Sequence, residues 1–278
     1  MTDRISFQGE PGANSHIACS AAYPALEPLP CPSFEDAFAA VTEGKARYAM
    51  IPIENSVAGR VADVHHLIPE ANLFIVAERF VPITHQLLGL PNATLDGLKA
   101  VRSHPQALGQ CRKLLHELGV EAVRTADTAG AAREVAELGD PSIGALASSL
   151  AAQIYGLKVL KANLADAQHN TTRFLTFARA EERPDADAGP SMTSFVFRVR
   201  NVPAALYKSL GGFATNGVNL TKLESYLEGG SFSAAMFYAE AEGHLDEKRV
   251  QMALEELQFF STSLRILGVY PADPFRRK

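Results

Sequence analysis

Residues 100–146 read AVRSHPQALGQCRKLLHELGVEAVRTADTAGAAREVAELGDPSIGAL, and this stretch decides the fold class. Three short apolar runs alternate in it with two segments long enough for helices. The runs lie at residues 100–102, 122–124 and 142–146, and the helical segments at 105–118 and 128–137. Because strands separated by helices are typical of parallel sheets, the stretch predicts an α/β architecture.

The same alternation extends toward the N-terminus. Strands are predicted at residues 4–7, 48–53, 72–80 and 83–90, and helices at 14–22 and 35–42. Ser33 is a candidate N-cap for the second of these helices. We interpret the break near residue 85 as the boundary between two lobes with a cleft between them.

The pattern changes after residues 180–190, a polar segment bounded by prolines that is typical of a linker. Strands are then predicted at 193–199, 218–227, 231–240 and 263–269, and helices at 204–215 and 246–257. Gly229-Gly230 indicates a hairpin between the two middle strands. This β-α-β-β-α-β order is the ferredoxin-like arrangement. We therefore expect domains at 1–180, with a second lobe at about 85–165, and at 192–278, joined by a linker at 181–191.

Composition narrows the classes of function. The chain has 278 residues, a formal net charge of −5 and a pI near 5.9, which argues against a nucleic-acid binder. It has no apolar run long enough to span a bilayer, and its N-terminus does not resemble a signal peptide. Three cysteines without C-x-x-C spacing predict neither a disulfide framework nor a thiolate metal site. We expect a soluble, cytoplasmic protein that binds neither nucleic acid nor membrane.

Four polar segments lie at junctions between predicted strands and helices, where α/β proteins bind ligands. They are residues 7–15, 51–56, 103–110 and 170–177. Each has an ordinary structural alternative. Gly9 and Gly12 can simply make a tight turn, Asn55 and Ser56 can cap a helix, and Ser103 can be an N-cap.

Among the residues of these segments, Arg173 most strongly suggests a role in binding an anionic substrate. A lone arginine at the start of a strand is usually a surface residue, but a guanidinium also binds carboxylates in a bidentate manner. The sequence contains neither an H-E-x-x-H metal motif nor a G-x-S-x-G nucleophile motif. Arg173 therefore favours a site for an anionic substrate.

Five blocks, in this order, resemble the prephenate dehydratase family over essentially the whole chain. They are Phe7-Gln8-Gly9 to Ser15, Pro52 to Ser56, Ser103-His104-Pro105-Gln106, Gly144 to Ala147, and Thr172-Arg173-Phe174. The resemblance implies a catalytic domain like the periplasmic binding proteins, with the active site between two lobes. It also implies conversion of prephenate to phenylpyruvate in phenylalanine synthesis, a carbon–oxygen lyase reaction that needs no metal or organic cofactor.

The resemblance also assigns roles to residues. Thr172 takes the catalytic position, Arg173 would hold a substrate carboxylate, Phe174 would shape the pocket, and Glu54 is an alternative proton source. The expected substrate-binding residues are Asn55, Ser56, Ser103, Gln110, Gly12 and Ser15. A threonine hydroxyl is a poor acid, so we interpret Thr172 as a preorganised hydrogen-bond donor to the leaving oxygen.

Residues 219–225 and 267–271 resemble an ACT domain, which implies allosteric binding of L-phenylalanine and assembly into a homodimer or homotetramer. The effector residues expected from this resemblance are Ala205, Leu206, Gly217, Val218, Asn219, Leu220, Glu224 and Ser225. Two family motifs are altered. Gly-Ala-Leu-Val is replaced by residues 204–207, Ala-Ala-Leu-Tyr, and Glu-Ser-Arg-Pro by residues 224–227, Glu-Ser-Tyr-Leu. A dimerisation module without an effector is the alternative for this domain.

Two other readings of the whole chain remain open. The opening loop, in which Asn14 replaces the aromatic residue of many relatives, resembles plant arogenate dehydratases. These enzymes perform the same chemistry on the transaminated substrate. A non-catalytic amino-acid sensor is the second alternative, although it would have no need of the Thr172 donor.

Overall fold

The computed structural model describes residues 3–164, 169–200, 202–227 and 234–277. The chain divides into two compact units. Unit 1 comprises Met1–Val64 and Arg79–Phe174, and unit 2 comprises His65–Glu78 and Leu175–Lys278. The domain limits expected from the sequence stay predictions.

The described residues form strands and helices in alternation. The strands are β1 (Arg4–Gln8), β2 (Glu27–Cys31), β3 (Tyr48–Asn55), β4 (Gly59–Arg60), β5 (Phe74–Pro82), β6 (His85–Gly89), β7 (Ala100–Ser103), β8 (Glu121–Arg124), β9 (Ile143–Ala147), β10 (Lys158–Leu164), β11 (Thr171–Ala178), β12 (Ser191–Val199), β13 (Leu220–Leu227), β14 (Ala234–Glu242) and β15 (Ser261–Pro271). The helices are α1 (Asn14–Ala22), α2 (Phe34–Thr42), α3 (Ala62–His65), α4 (Pro105–Gln110), α5 (Arg112–Leu118), α6 (Thr128–Leu138), α7 (Ser149–Tyr155), α8 (Ala205–Thr215) and α9 (Lys248–Phe260). Short 3-10 helices lie at Leu95–Gly97 and Pro274–Arg277.

Two mixed sheets confirm the α/β class. The first has the order β2-β1-β3-β11-β5, with β4 paired to β3, and the second has the order β10-β6-β9-β7-β8. The pairs β1–β2, β1–β3, β7–β8 and β7–β9 are parallel, as predicted. Strand β6, which no predicted helix separates from the strand before it, runs antiparallel to both β9 and β10. The likeness to periplasmic binding proteins stays a prediction.

Local chemistry explains two departures from the predicted elements. The helix predicted at 105–118 is divided at Cys111, whose φ of −120° and ψ of 23° leave the helical region. Strand β2 was not predicted because Pro28 and Pro30 lie in it. It is an edge strand, where a residue without an N–H group can be accommodated.

Unit 2 contains a four-stranded antiparallel sheet in the order β13-β14-β12-β15. Its elements follow the predicted order β-α-β-β-α-β. Phe195, Phe197 and Val199 alternate along β12 and belong to a buried cluster with Phe213 of α8 and Leu257 of α9. This alternation explains how one face of the sheet packs against the two helices. The predicted Gly229-Gly230 turn lies outside the described residues.

The described part of the chain has no helix that is long and apolar enough to cross a membrane. Within the same residues, no group of three or more histidine, cysteine and acidic side chains is arranged to hold a metal ion. Cys19, Cys31 and Cys111 are buried free thiols. Burial raises the pKa of the Cys19 thiol far above its usual value, so this thiol is not a reactive thiolate.

Candidate active site

Unit 1 contains an open cavity of about 600 Å³. Its wall is built from the loop that leads from β1 into α1, from the end of β3 with β4, from β6, from the start of α4, and from the start of β11. Among the predicted site residues, Ser15, Asn55, Gln110, Thr172 and Phe174 line this cavity. The polar segments singled out in the sequence therefore meet around one space.

Asn55 is held in one orientation by the backbone. Its Oδ1 accepts hydrogen bonds from the N–H groups of Val57 at 3.0 Å and Ala58 at 2.9 Å. Its Nδ2 is therefore turned the other way, and donates to Thr172 Oγ1 at 2.9 Å and Asn170 Oδ1 at 2.7 Å. Because Thr172 Oγ1 accepts from Asn55, the hydroxyl hydrogen of Thr172 remains available for donation. Thr172 is 9% exposed and lines the cavity.

Asn170 extends this series of hydrogen bonds, since it accepts from Asn55 and donates to the next residue. With its Oδ1 accepting, Asn170 donates from Nδ2 to Gln110 Oε1 at 2.9 Å. The same Gln110 oxygen lies 2.8 Å from His85 Nε2. A carbonyl oxygen can only accept, so His85 Nε2 carries the hydrogen. Burial lowers the pKa of His85, against an opposing effect of the Gln110 hydrogen bond, and so favours the neutral ring at pH 7.

Asn170 begins the candidate segment 170–177 but was given no role, and His85 was not predicted; both line the cavity. Asn170 directly precedes β11, and His85 is the first residue of β6. An amide before a strand and a histidine at its start are unremarkable locally. Only their partners along the cavity wall reveal that they orient the side chains around Thr172.

The buried Arg173 forms an ion pair with Glu54, which is partly exposed. Arg173 Nη1 donates to Glu54 Oε1 at 3.0 Å, and the Arg173 side chain is only 2% exposed. Its guanidinium also lies 5.8 Å from the centre of the Phe80 ring. Neither Arg173 nor Glu54 is among the described residues that line the cavity. The expected surface alternative for Arg173 is wrong, because the side chain is buried; its role as a carboxylate ligand stays a prediction.

Two serines whose binding of substrate stays a prediction, Ser56 and Ser103, join segments of the backbone. Ser103 Oγ is buried and donates to the carbonyl of Leu146 at 2.6 Å. Ser56 Oγ donates to the carbonyl of His169 at 2.6 Å and accepts from the N–H of Thr171 at 2.9 Å. Neither serine is among the described lining residues. Ser56 thereby fixes the chain directly before Thr172.

Gly12 is not among the described residues that line the cavity, and its contacts are structural. Its N–H donates to His16 Nδ1 at 3.0 Å, and its carbonyl accepts from Ser148 Oγ. Its φ of +93° favours glycine, and a Cβ at this position would lie 2.7 Å from the Cα of Ala151. This close approach explains the glycine without a ligand.

The predicted effector residues lie in unit 2. Ala205 and Leu206 begin α8, Gly217, Val218 and Asn219 connect α8 to β13, and Leu220, Glu224 and Ser225 lie on β13. Strand β13 is at the edge of its sheet. Ala204, which replaces the glycine of the family motif, has a left-handed φ of 62°. This is a backbone conformation that favours glycine.

Comparison with known proteins identifies the family of the chain. The family model described as prephenate dehydratase matches residues 5–182. A bifunctional N-acyl-homoserine lactone acylase/prephenate dehydratase from Komagataeibacter europaeus is 50% identical over 99% of this chain and 98% of its own length. The arogenate dehydratase/prephenate dehydratase 1 of Arabidopsis thaliana is 42% identical over 98% of this chain and 73% of its own.

A solved structure is also similar to this chain. Prephenate dehydratase from Arthrobacter aurescens, in complex with L-Phe, superposes with a TM-score of 0.88 and 31% identity, covering 97% of this chain and 90% of its own. The family model covers more than half of the chain, and the relatives match it over nearly its whole length. The chain therefore belongs to the prephenate dehydratase family.

Proposed function

We propose that the protein is a prephenate dehydratase, which converts prephenate to phenylpyruvate, carbon dioxide and water. The observation that carries this proposal is the set of directed hydrogen bonds ending at Thr172. Asn55 donates to Thr172 Oγ1, so the threonine has a hydrogen to donate into the cavity. Such a donor matches a reaction in which negative charge develops on a leaving oxygen.

The electrons move in one direction through the substrate ring. The bond between the ring and its carboxylate breaks, carbon dioxide leaves, and the electron pair enters the ring to expel the hydroxyl as hydroxide. The dianionic substrate thus gives the phenylpyruvate monoanion, carbon dioxide and hydroxide, which takes up a proton to become water. Aromatisation supplies the driving force. The enzyme has to hold the substrate and stabilise the departing oxygen.

Thr172 is better placed for the departing oxygen than Glu54. Thr172 lines the cavity, whereas Glu54 is paired with Arg173 and is not among the described lining residues. Thr172 is too weak an acid to release its proton fully at neutral pH. Its proposed action is therefore a preorganised hydrogen bond that strengthens as hydroxide forms, with the final proton coming from solvent.

We expect purified protein to convert prephenate to phenylpyruvate, with product identified by mass spectrometry. A parallel incubation with arogenate, whose product would be phenylalanine, measures the preference between keto acid and amino acid. Spontaneous aromatisation is measured without enzyme. Absence of turnover on both substrates, by a folded protein, would overturn the proposal and favour the sensor. Turnover of arogenate alone would move the function to arogenate dehydratase.

A second candidate activity comes from the Komagataeibacter europaeus relative. Its name includes N-acyl-homoserine lactone acylase, and it is 50% identical to this chain over 98% of its own length. Release of homoserine lactone from an acylated lactone is measured on the same protein preparation. Competition between that substrate and prephenate would indicate that both use the cavity in unit 1.

We further propose that the C-terminal part is an ACT regulatory domain that binds phenylalanine. The β-α-β-β-α-β order of unit 2 supports this assignment, and so does the similarity to the Arthrobacter aurescens enzyme, whose structure contains L-Phe. Ala204 supports it as well, because its left-handed φ favours glycine, the residue found at this position in the motif that the sequence resembles. Linkage requires that phenylalanine and substrate weaken each other's binding by the same factor if phenylalanine inhibits.

We expect calorimetric titration to detect phenylalanine binding to the full-length protein. Phenylalanine resembles the reaction product, so the binding site has to be distinguished from the catalytic cavity. Ser225→Leu, on the exposed edge strand β13, should abolish this binding, because it removes a hydroxyl and fills the expected pocket. Thr172→Val should leave it unchanged. Equal binding by the Ser225 variant, or none by the wild type, would leave unit 2 without an effector site.

A further inference from the structure

Arg60 is the only lysine or arginine among the described residues that line the cavity of unit 1. Two carboxylates, Asp63 and Asp127, line the same cavity, and burial lowers the pKa of His85, which favours its neutral form. Prephenate and arogenate are both acids. A substrate with carboxylate groups therefore meets one permanent positive charge on this lining.

The position of Arg60 is set by the short hairpin of β3 and β4. Arg60 lies opposite Glu54, and Gly59 lies opposite Asn55. The hairpin is closed by the N–H of Val61, which donates to the carbonyl of Ile53 at 2.9 Å. Arg60 is thus the neighbour in sequence of the residue that faces Asn55, the donor to Thr172. The same short turn fixes both the cation and the donor.

We propose that Arg60 binds the carboxylate that remains on the product, the one at the end of the pyruvyl side chain. This inference rests on the proposed function. The two carboxylates of prephenate have different fates, because one leaves as carbon dioxide and the other is retained. A cation on the leaving carboxylate would stabilise the ground state and lose its interaction as neutral carbon dioxide forms. A cation on the retained carboxylate holds the substrate equally well before and after that step.

This assignment divides the work between two arginines. Arg173 is buried and donates to Glu54, so it supports the wall that carries Thr172. Arg60 is exposed and lines the cavity, where it would contact the substrate. Uniform binding of this kind lowers KM without changing kcat, so the proposal makes a kinetic prediction that a purely structural role does not share.

The test uses the full chain with Arg60→Gln and Arg60→Lys. Arg112→Gln is the matched control, since Arg112 is exposed, belongs to unit 1 and is not among the described lining residues. With prephenate, Arg60→Gln should raise KM roughly tenfold, the scale of a lost hydrogen bond to a charged group, and leave kcat within about threefold. Arg60→Lys should lie between it and the wild type, because lysine keeps the charge but loses the planar fork. Arg112→Gln should match the wild type.

A binding measurement that needs no turnover completes the test. Calorimetry compares 3-phenylpropanoate, which carries a carboxylate, with the neutral 3-phenylpropanamide. The wild type should prefer the acid by roughly tenfold, and Arg60→Gln should lose that preference. A wild type that turns over prephenate, with an Arg60→Gln variant whose KM and acid preference are both unchanged, would overturn the inference. If the wild type turns over neither substrate, the proposed function fails, and the acid preference alone decides whether Arg60 binds carboxylates.

Discussion

Thr172→Val should lower kcat on prephenate by roughly 100- to 1000-fold, the usual scale for removing one preorganised donor. Valine keeps the branched shape and removes only the hydroxyl, which in the wild type accepts from Asn55 at 2.9 Å and has its hydrogen left to donate. KM should change little, because the lost hydrogen bond strengthens only as the hydroxide departs. Steady-state kinetics with prephenate measure both constants.

Thr172→Ser is the matched control, since serine restores the hydroxyl and should recover most of the lost kcat. The two variants together separate the hydroxyl from the packing of the methyl group. Equal kcat in the valine variant and the wild type would contradict the donor role. A defect shared equally by valine and serine would assign Thr172 to packing instead.

The candidate site could be predicted in part because each block has a recognisable local sequence. Resemblance identified Asn55, Gln110 and Thr172, and the structure brings all three to one cavity. The roles of Asn170 and His85 were not predicted, because they depend on hydrogen-bond partners that are distant in the sequence. Asn55 and Asn170, for example, are 115 residues apart in the sequence. No local sequence pattern indicates that these two side-chain amides form a hydrogen bond with each other.

The same limit explains what was missed about Arg173. Its polar neighbours predicted a functional residue, but burial and the pairing with Glu54 depend on a contact between residues 119 positions apart. Arg60, by contrast, has no distinctive local signal. It follows Gly59 in a two-residue strand and draws its significance from being the sole lysine or arginine in the described lining.

The fold was predictable where hydrophobic periodicity is strong. Helix α1 was expected at 14–22 and is found at Asn14–Ala22, since a single helical segment separates two turn signals there. Hydrophobic periodicity does not indicate which segments, distant in the sequence, belong to the same compact unit. His65–Glu78 joins unit 2 with residues from the opposite end of the sequence, and one reason is an ion pair between Glu78 and Arg276. Nothing in the sequence of either segment indicates this partner.

Arg276→Leu should destabilise unit 2 by about 3 kcal/mol, because it removes the cation from a buried ion pair. Arg276 binds Glu78 in a bidentate manner, with Nε 2.6 Å from Oε1 and Nη2 2.9 Å from Oε2. Its Nη2 also lies 3.4 Å from Oε2 of Glu240. The side chains of both glutamates are 0% exposed. The variant would therefore leave two carboxylates in the interior without the arginine that both contact.

Chemical denaturation of the full chain measures this loss, and two further variants make the result specific. Arg249→Leu removes an arginine whose partner Glu247 is 2.7 Å away in an exposed pair, and should cost less than about 1 kcal/mol. Adding Glu78→Gln to Arg276→Leu should recover part of the stability, because it removes one of the buried charges. A loss for Arg276→Leu no larger than that for Arg249→Leu would show that the Glu78 and Glu240 carboxylates do not depend on this arginine. Recovery in the double variant would show instead that buried negative charge, rather than lost packing of the arginine stem, is the cause of the destabilisation.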